Sequence, residues 1–209
     1  MNWLCLSGIV GTVFYVLHDF IGGMYYPGYD RLSQALSDLT AVDAPSFVIA
    51  SSLTSLYALF ACVCCTLVSI VVQTMSNRTL RAGVHLFAIM NWISAIGYSL
   101  FPLSSSGYEG TLQDIIHVYI VTVLVVLLSI VSLVLVIIGG FREDKRYQSL
   151  SVWALLALAF MFMGAVLVNL VPPEYFGVVE RFSTYSAVLF TAILGVYGFH
   201  YFPLLEQGS

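Results

Sequence analysis

The chain has 209 residues, of which 60% are hydrophobic and 9% are charged, and its formal net charge is −4. Such a small charged fraction leaves no room for a separate soluble domain. The acidic balance excludes nucleic acid as a partner, because nucleic-acid binding requires a basic surface. Composition therefore predicts one compact domain embedded in a membrane.

Six apolar stretches follow one another along the chain, each about 20 residues long, which is the length an α-helix needs to cross a ~30 Å hydrocarbon core. Lipid offers the backbone no hydrogen-bond partner, so each stretch must be helical. We expect an all-α, polytopic bundle of six transmembrane helices in a single domain, 1–205, followed by a short tail at 206–209 typical of a cloning remnant. The predicted spans are 3–24, 49–72, 83–103, 115–138, 150–171 and 184–205.

The first span carries small and polar residues on one side. It begins close to the initiator Met without a basic leader, so we expect a retained span and not a cleaved signal peptide. Gly8, Gly11, Tyr15, His18 and Gly22 follow at steps of three and four, which puts them on one helix face. Small residues let membrane helices pack closely. The pattern therefore predicts that this face, with His18, points into the bundle.

The connection after the first span is long and carries an amphipathic segment. Leucines at 32, 36 and 39 recur at helical spacing, with Ser33, Ser37 and Asp38 between them. Such a pattern is typical of a turn or two of helix lying at the mouth of the bundle.

The fourth span opens with a polar group and is otherwise almost entirely Val, Leu and Ile. The 111–114 segment resembles a capping box with Asp in place of Glu, and His117 follows Asp114 by one helical turn. We therefore expect Asp114 and His117 to touch, and most of the span to face lipid. Glu180 and Arg181 are predicted to open the sixth span at a similar depth, with Arg181 paired to Asp38 or Asp114, since an unpaired arginine there would be costly.

Basic residues are distributed unevenly among the connections. Five of the seven follow the second or fourth span, whereas Arg31 and Arg181 lie on the other side. The positive-inside rule then predicts that the even-numbered connections and both termini are cytoplasmic. Eight of the eleven acids belong to the opposite, outer side.

The candidate site is an outer polar cluster, since ionisable residues within a membrane are costly and mark functional sites. Two inward histidines beside carboxylates are compatible with a site for a divalent metal such as zinc, with His18, His117 and Asp114 as its ligands. Helix capping and ion pairing are the structural alternatives for the carboxylates. The cluster comprises His18, Asp19, Ser33, Ser37, Asp38, Asp114, His117, Glu180 and Arg181.

Three segments of the chain resemble a known family. The 32–39 segment, Phe101-Pro102 followed by His117, and the 177–181 segment are similar to the bacterial and archaeal six-span membrane proteins catalogued as domain of unknown function 998. The resemblance covers nearly the whole chain. It implies a multi-pass protein of a prokaryotic plasma membrane and names no activity. It also implies shared positions at Ser33, Ser37, Asp38, His117, Glu180 and Arg181.

Three functions remain open from the sequence. The first is a protein that binds or transports a lipid, a small amphiphile or a cation in an outward-facing acidic cavity, with membrane lipids as partners. The second is a metal-dependent membrane hydrolase or transferase acting on a lipid, although no familiar catalytic motif occurs and enzymatic activity is undecided. The third is a non-catalytic accessory or sensor protein whose polar groups lock the outer loops together.

The predicted orientation can be tested by cysteine-accessibility labelling in intact cells. A cysteine at position 107 should react with an impermeant reagent from outside, whereas a cysteine at position 144 should react only after the membrane is opened. The reverse pattern would invert the assignment of the acidic side.

Overall fold

The computed structural model describes residues 2–75, 77–168 and 170–200, and within these residues all regular structure is helical. Six helices in this part of the chain are long and apolar enough to cross a membrane, which confirms the six-span prediction. They are α1 Ser7–Met24, α2 Phe47–Val71, α3 Arg78–Leu100, α4 Leu112–Gly140, α5 Lys145–Leu167 and α6 Phe176–His200. A 3-10 turn, Asn2–Leu6, precedes α1.

The sixth helix begins earlier than the sequence predicts. Pro172 and a 3-10 turn, Pro173–Tyr175, lead into α6 at Phe176, because proline is well tolerated in the first turn of a helix. Glu180 and Arg181 therefore lie in the second turn of α6 and not at the opening of the helix. The predicted end of this span at 205 and the tail 206–209 lie outside the described residues.

The helices pack through small residues, as the stripe on the first span predicts. Gly8, Gly11, His18 and Gly22 are all buried in α1. A Cβ atom at Gly8 would lie 2.8 Å from the backbone oxygen of Thr191, so α1 and α6 touch nearly backbone to backbone there. Glycine is required at that crossing because no side chain fits between the helices.

The start of α4 has an unusual backbone. The predicted capping box is present: the Asp114 N–H donates to Thr111 Oγ1 at 3.2 Å, and the Thr111 N–H donates to the Asp114 carboxylate at 3.1 Å. A π-helix follows over Ile116–Thr122, in which the Thr122 hydroxyl donates to the His117 carbonyl at 2.9 Å. Such widened turns are often found at functional sites.

The loop after α1 folds onto one end of the bundle. Leu36 and Leu39 are 2% and 0% exposed, whereas Leu32 is 52% exposed, so the second half of the amphipathic segment fills the mouth. A 3-10 turn, Ser37–Thr40, follows Leu36 directly and contains the buried Leu39. We call the end of the bundle formed by residues 25–46, 101–111 and 170–175 the acidic face.

Candidate functional site

A buried ion pair joins α1 to α6 just below the acidic face. Arg181 Nε donates to Asp19 Oδ2 at 3.0 Å and Nη2 donates to Oδ1 at 2.9 Å, which is the two-pronged geometry that guanidinium and carboxylate groups favour. The two side chains are 13% and 7% exposed. Tyr185 adds a hydrogen bond from its hydroxyl to Asp19 Oδ2 at 3.1 Å.

Arg181 also holds the first loop. Its Nη1 donates to the carbonyls of Arg31, at 2.9 Å, and Gln34, at 3.2 Å, as well as to Gly177 of its own helix at 2.8 Å. Its Nη2 donates to the Tyr29 hydroxyl at 2.9 Å. All three nitrogens of the guanidinium are therefore engaged by α1, α6 and the first loop.

Tyr29 extends this hydrogen-bond network within the first loop. Burial raises the pKa of its hydroxyl to about 12, so the group stays protonated at neutral pH. It accepts from Arg181 and donates to the carbonyl of Ala35 at 2.8 Å.

The partner predicted for Arg181 was wrong: it is Asp19 and neither Asp38 nor Asp114. Both of those carboxylates accept hydrogen bonds from backbone N–H groups instead. Asp38 accepts from Ala35 at 3.1 Å and from Gly107 at 3.0 Å. Asp114 accepts from the Ser104 N–H at 2.7 Å and from the Ser104 hydroxyl at 2.9 and 2.8 Å.

Two aspartates of the first loop bind the 101–111 loop. The Gly107 N–H reaches Asp38, and Asp43 accepts from the Ser106 N–H at 3.0 Å and the Ser105 hydroxyl at 2.8 Å. Tyr108, next along the chain, has a φ of +66°, a left-handed conformation that costs energy for a residue with a side chain. These contacts hold the two loops against each other.

An open cleft of about 480 Å³ lies between these loops and the first turn of α6. Ser33, Ser37 and Asp38 of the predicted site belong to its wall, and three aromatic rings complete its apolar side. The lining residues are Tyr26, Ser33, Gln34, Ala35, Ser37, Asp38, Leu103, Ser106, Gly107, Tyr108, Val118 and Phe176.

His117 has a defined tautomer. Its Nδ1 lies 2.7 Å from the carbonyl oxygen of Phe101, which can only accept, so Nδ1 carries a proton and, in the neutral ring, Nε2 keeps a lone pair. The ring packs on Tyr98 with a centroid distance of 4.9 Å. The predicted contact with Asp114 is replaced by this bond, since Asp114 is occupied by the 104–111 segment.

His18 is the second predicted histidine, and it is buried in α1. Its side chain lies against Tyr15, with ring centroids 5.4 Å apart, and the residue is 2% exposed. Neither ring nitrogen has a hydrogen-bond partner among the described residues.

The predicted site residues fall into separate groups. Ser33, Ser37 and Asp38 belong to the cleft wall, Asp19 and Arg181 form the ion pair, and Asp114 caps α4. Among the described residues, no three His, Cys, Asp or Glu side chains are grouped to hold a metal ion. His18, His117 and Asp114 are therefore not assembled as the metal ligands that the sequence left open.

Sequence reasoning missed the tyrosines. Tyr29 and Tyr185 complete the surroundings of Asp19 and Arg181, and Tyr98 packs on His117. A tyrosine within a span is an apolar ring in most settings, so its identity alone carries no signal. Only the burial of a charged pair nearby creates the need for its hydroxyl.

Arg181→Ala should destabilise the protein by about 3–5 kcal/mol, because removing one partner leaves the Asp19 carboxylate buried without a counter-charge. Arg142→Ala, at an exposed position beyond α4, should change stability by less than about 0.5 kcal/mol. Thermal or denaturant unfolding in detergent measures both effects. Equal and negligible effects of the two substitutions would refute the role of the ion pair.

Comparison with known proteins agrees with the six-span architecture. No curated protein and no solved structure matches the chain. A family model described as "Protein of unknown function (DUF998)" matches residues 9–197, which is nearly the entire bundle. The chain is therefore an integral membrane protein that belongs to the DUF998 family.

Proposed function

We propose that the protein binds a lipid or other amphiphile at the acidic face, with the head group in the cleft and the apolar part along the bundle. The cleft is the observation that carries this proposal. Its volume of about 480 Å³ falls within the range of roughly 300–1,000 Å³ typical of small-molecule sites. Hydroxyl groups and aromatic rings share its wall, which suits a molecule with polar and apolar parts.

The charge of the lining favours a cationic head group. Asp38 is the one charged side chain among the lining residues, all of which the structure describes. Tyr26, Tyr108 and Phe176 add aromatic faces, which attract ammonium groups by about 0.5–1 kcal/mol each at exposed sites. No basic side chain lines the cleft to repel such a head group, so a phospholipid amine is a better match than a phosphate alone.

The surrounding field supports the same choice. Eight of the eleven acids of the chain lie on the acidic face or in the helix turns next to it, against two arginines. Both arginines interact with Asp19. A surface of one sign raises the local concentration of ions of the opposite sign. With the distribution of basic residues, we propose that this face lies outside a prokaryotic plasma membrane and that both termini are cytoplasmic.

Native mass spectrometry of the detergent-purified protein with added phospholipids tests the proposal. Phosphatidylethanolamine should be retained more strongly than phosphatidylglycerol with the same acyl chains. Phe176→Ala should weaken its binding about two- to fivefold, since one cation–π contact is lost. Asp38→Asn should weaken it further, because the negative charge of the cleft is removed.

Glu174→Gln is the matched control, since Glu174 is an exposed carboxylate of the same face outside the cleft lining. It should bind phosphatidylethanolamine like the unmodified protein. Equal retention of the two lipids, or unchanged binding by both cleft variants, would contradict the proposal.

A further inference from the structure

Polar contacts join α2 to α3 at the end of the bundle opposite the acidic face. The Ser69 hydroxyl of α2 is hydrogen-bonded to Nδ1 of His85 in α3. Arg81 Nη1 donates to the carbonyl of Gln73, in the 3-10 turn that follows α2, at 3.1 Å. Arg81 and His85 are four residues apart in α3, so they lie on one face of the helix in consecutive turns. Both contacts place that face beside the end of α2.

Each contact uses only part of the hydrogen-bonding capacity of its side chain. A guanidinium carries five N–H donors, and the hydrogen bond recorded for Arg81 within the described residues leaves its Nε and Nη2 groups for another acceptor. His85 Nδ1 is bonded to Ser69, so Nε2 is the ring nitrogen that remains for a ligand. Both residues are partly exposed. Neither pairs with a carboxylate of the described residues, since the recorded ion pairs both go to Asp19.

The surface deeper along the same two helices is apolar. Trp92 Nε1 donates to Thr66 Oγ1 of α2 at 3.0 Å, and the residue stays 48% exposed. Ile89, three residues earlier in α3, is 50% exposed. Arg81 lies three residues into α3, about 4.5 Å from its start, whereas Trp92 is about 16 Å further along. A polar group near the helix end followed by exposed apolar side chains matches the head group and chains of a lipid.

The charge at this end of the bundle selects an anionic head group. The Asn77 side chain donates to the carbonyl of Gly139 at 2.9 Å, which brings the connection before α3 against the connection after α4. Five of the seven basic residues of the chain belong to these two connections or to the first turn of the helix that follows each. The acids there are Glu143 and Asp144. Such a basic surface attracts anionic lipids.

We propose that Arg81 and His85 form a binding site for the phosphate monoester head group of a lipid, with the lipid chains along α3 past Ile89 and Trp92. A terminal phosphate has three free oxygens, so it can accept from both side chains at once. A phosphodiester has two such oxygens and a smaller charge. The site lies at the opposite end of the bundle from the cleft and does not depend on it.

The free edge of the Arg81 side chain suits this role. Nε and Nη2 form the edge with which Arg181 binds both oxygens of Asp19 in the same protein. Two phosphate oxygens can occupy the corresponding edge of Arg81. When the Ser69 hydroxyl donates to His85 Nδ1, the neutral imidazole carries its proton on Nε2 and can donate to the third oxygen.

Native mass spectrometry of the full chain in detergent, with phosphatidic acid or with phosphatidylglycerol of the same acyl chains, tests the proposal. Phosphatidic acid should bind more tightly. Arg81→Gln should weaken its binding about tenfold, since charge-assisted hydrogen bonds are lost. Arg142→Gln removes the same charge from an exposed position at the same end and should change binding less than twofold. Equal losses in the two variants would overturn the proposal, because they would show only a general attraction to positive charge.

A second variant keeps the test decisive if Arg81→Gln fails to fold. His85→Phe keeps a ring but removes Nε2, and it should weaken phosphatidic acid binding about threefold. The cleft variant Phe176→Ala should bind phosphatidic acid like the unmodified protein, so the two sites fail separately. Glycerol 3-phosphate, which has the same monoester without chains, should not displace phosphatidic acid at equal concentration. Unchanged binding by His85→Phe, or displacement by glycerol 3-phosphate, would overturn the proposal.

Discussion

The Asp19–Arg181 ion pair is the constraint on which the acidic end of the molecule depends. A guanidinium and a carboxylate buried this deeply are tolerated only with close geometry and further hydrogen bonds. Arg181 meets the requirement by donating to Gly177 of its own helix and to three residues of the first loop, Arg31, Gln34 and Tyr29. Solvation of one buried charge thus helps to hold the first loop, which also has backbone hydrogen bonds of its own, such as Gln34 N–H to Asp30 and Leu39 N–H to Leu36.

The same pair lies beside a second contact between the first loop and α6. The guanidinium is committed to Asp19, and the neighbouring Glu180 carboxylate accepts the Leu36 N–H at 2.7 Å instead. That bond ties the 35–37 segment, whose Ala35 and Ser37 line the cleft, to α6. Both contacts hold the first loop, and with it one wall of the cleft, against α6.

The bundle was predictable from the sequence because hydrophobic length and small-residue spacing are properties of neighbours in the chain. The buried stripe of α1 and the cap at Thr111 follow from steps of three or four residues. The partner of Arg181 did not follow, since a sequence does not show that Asp38 would be satisfied by backbone N–H groups of another loop. The hydrogen-bonded Asp114 and the ion-paired Asp19 fit a structural role, whereas the cleft is the basis of the proposed binding function.

A double-mutant cycle at Asp19 and Arg181 measures the central interaction most directly. The free energy of unfolding would be determined for Asp19→Asn, Arg181→Gln and the double variant in the same detergent. The two residues contact each other, so each single substitution should cost more than the second substitution adds, with a coupling energy of about 2–3 kcal/mol. Strictly additive effects would contradict a buried pair that positions the first loop.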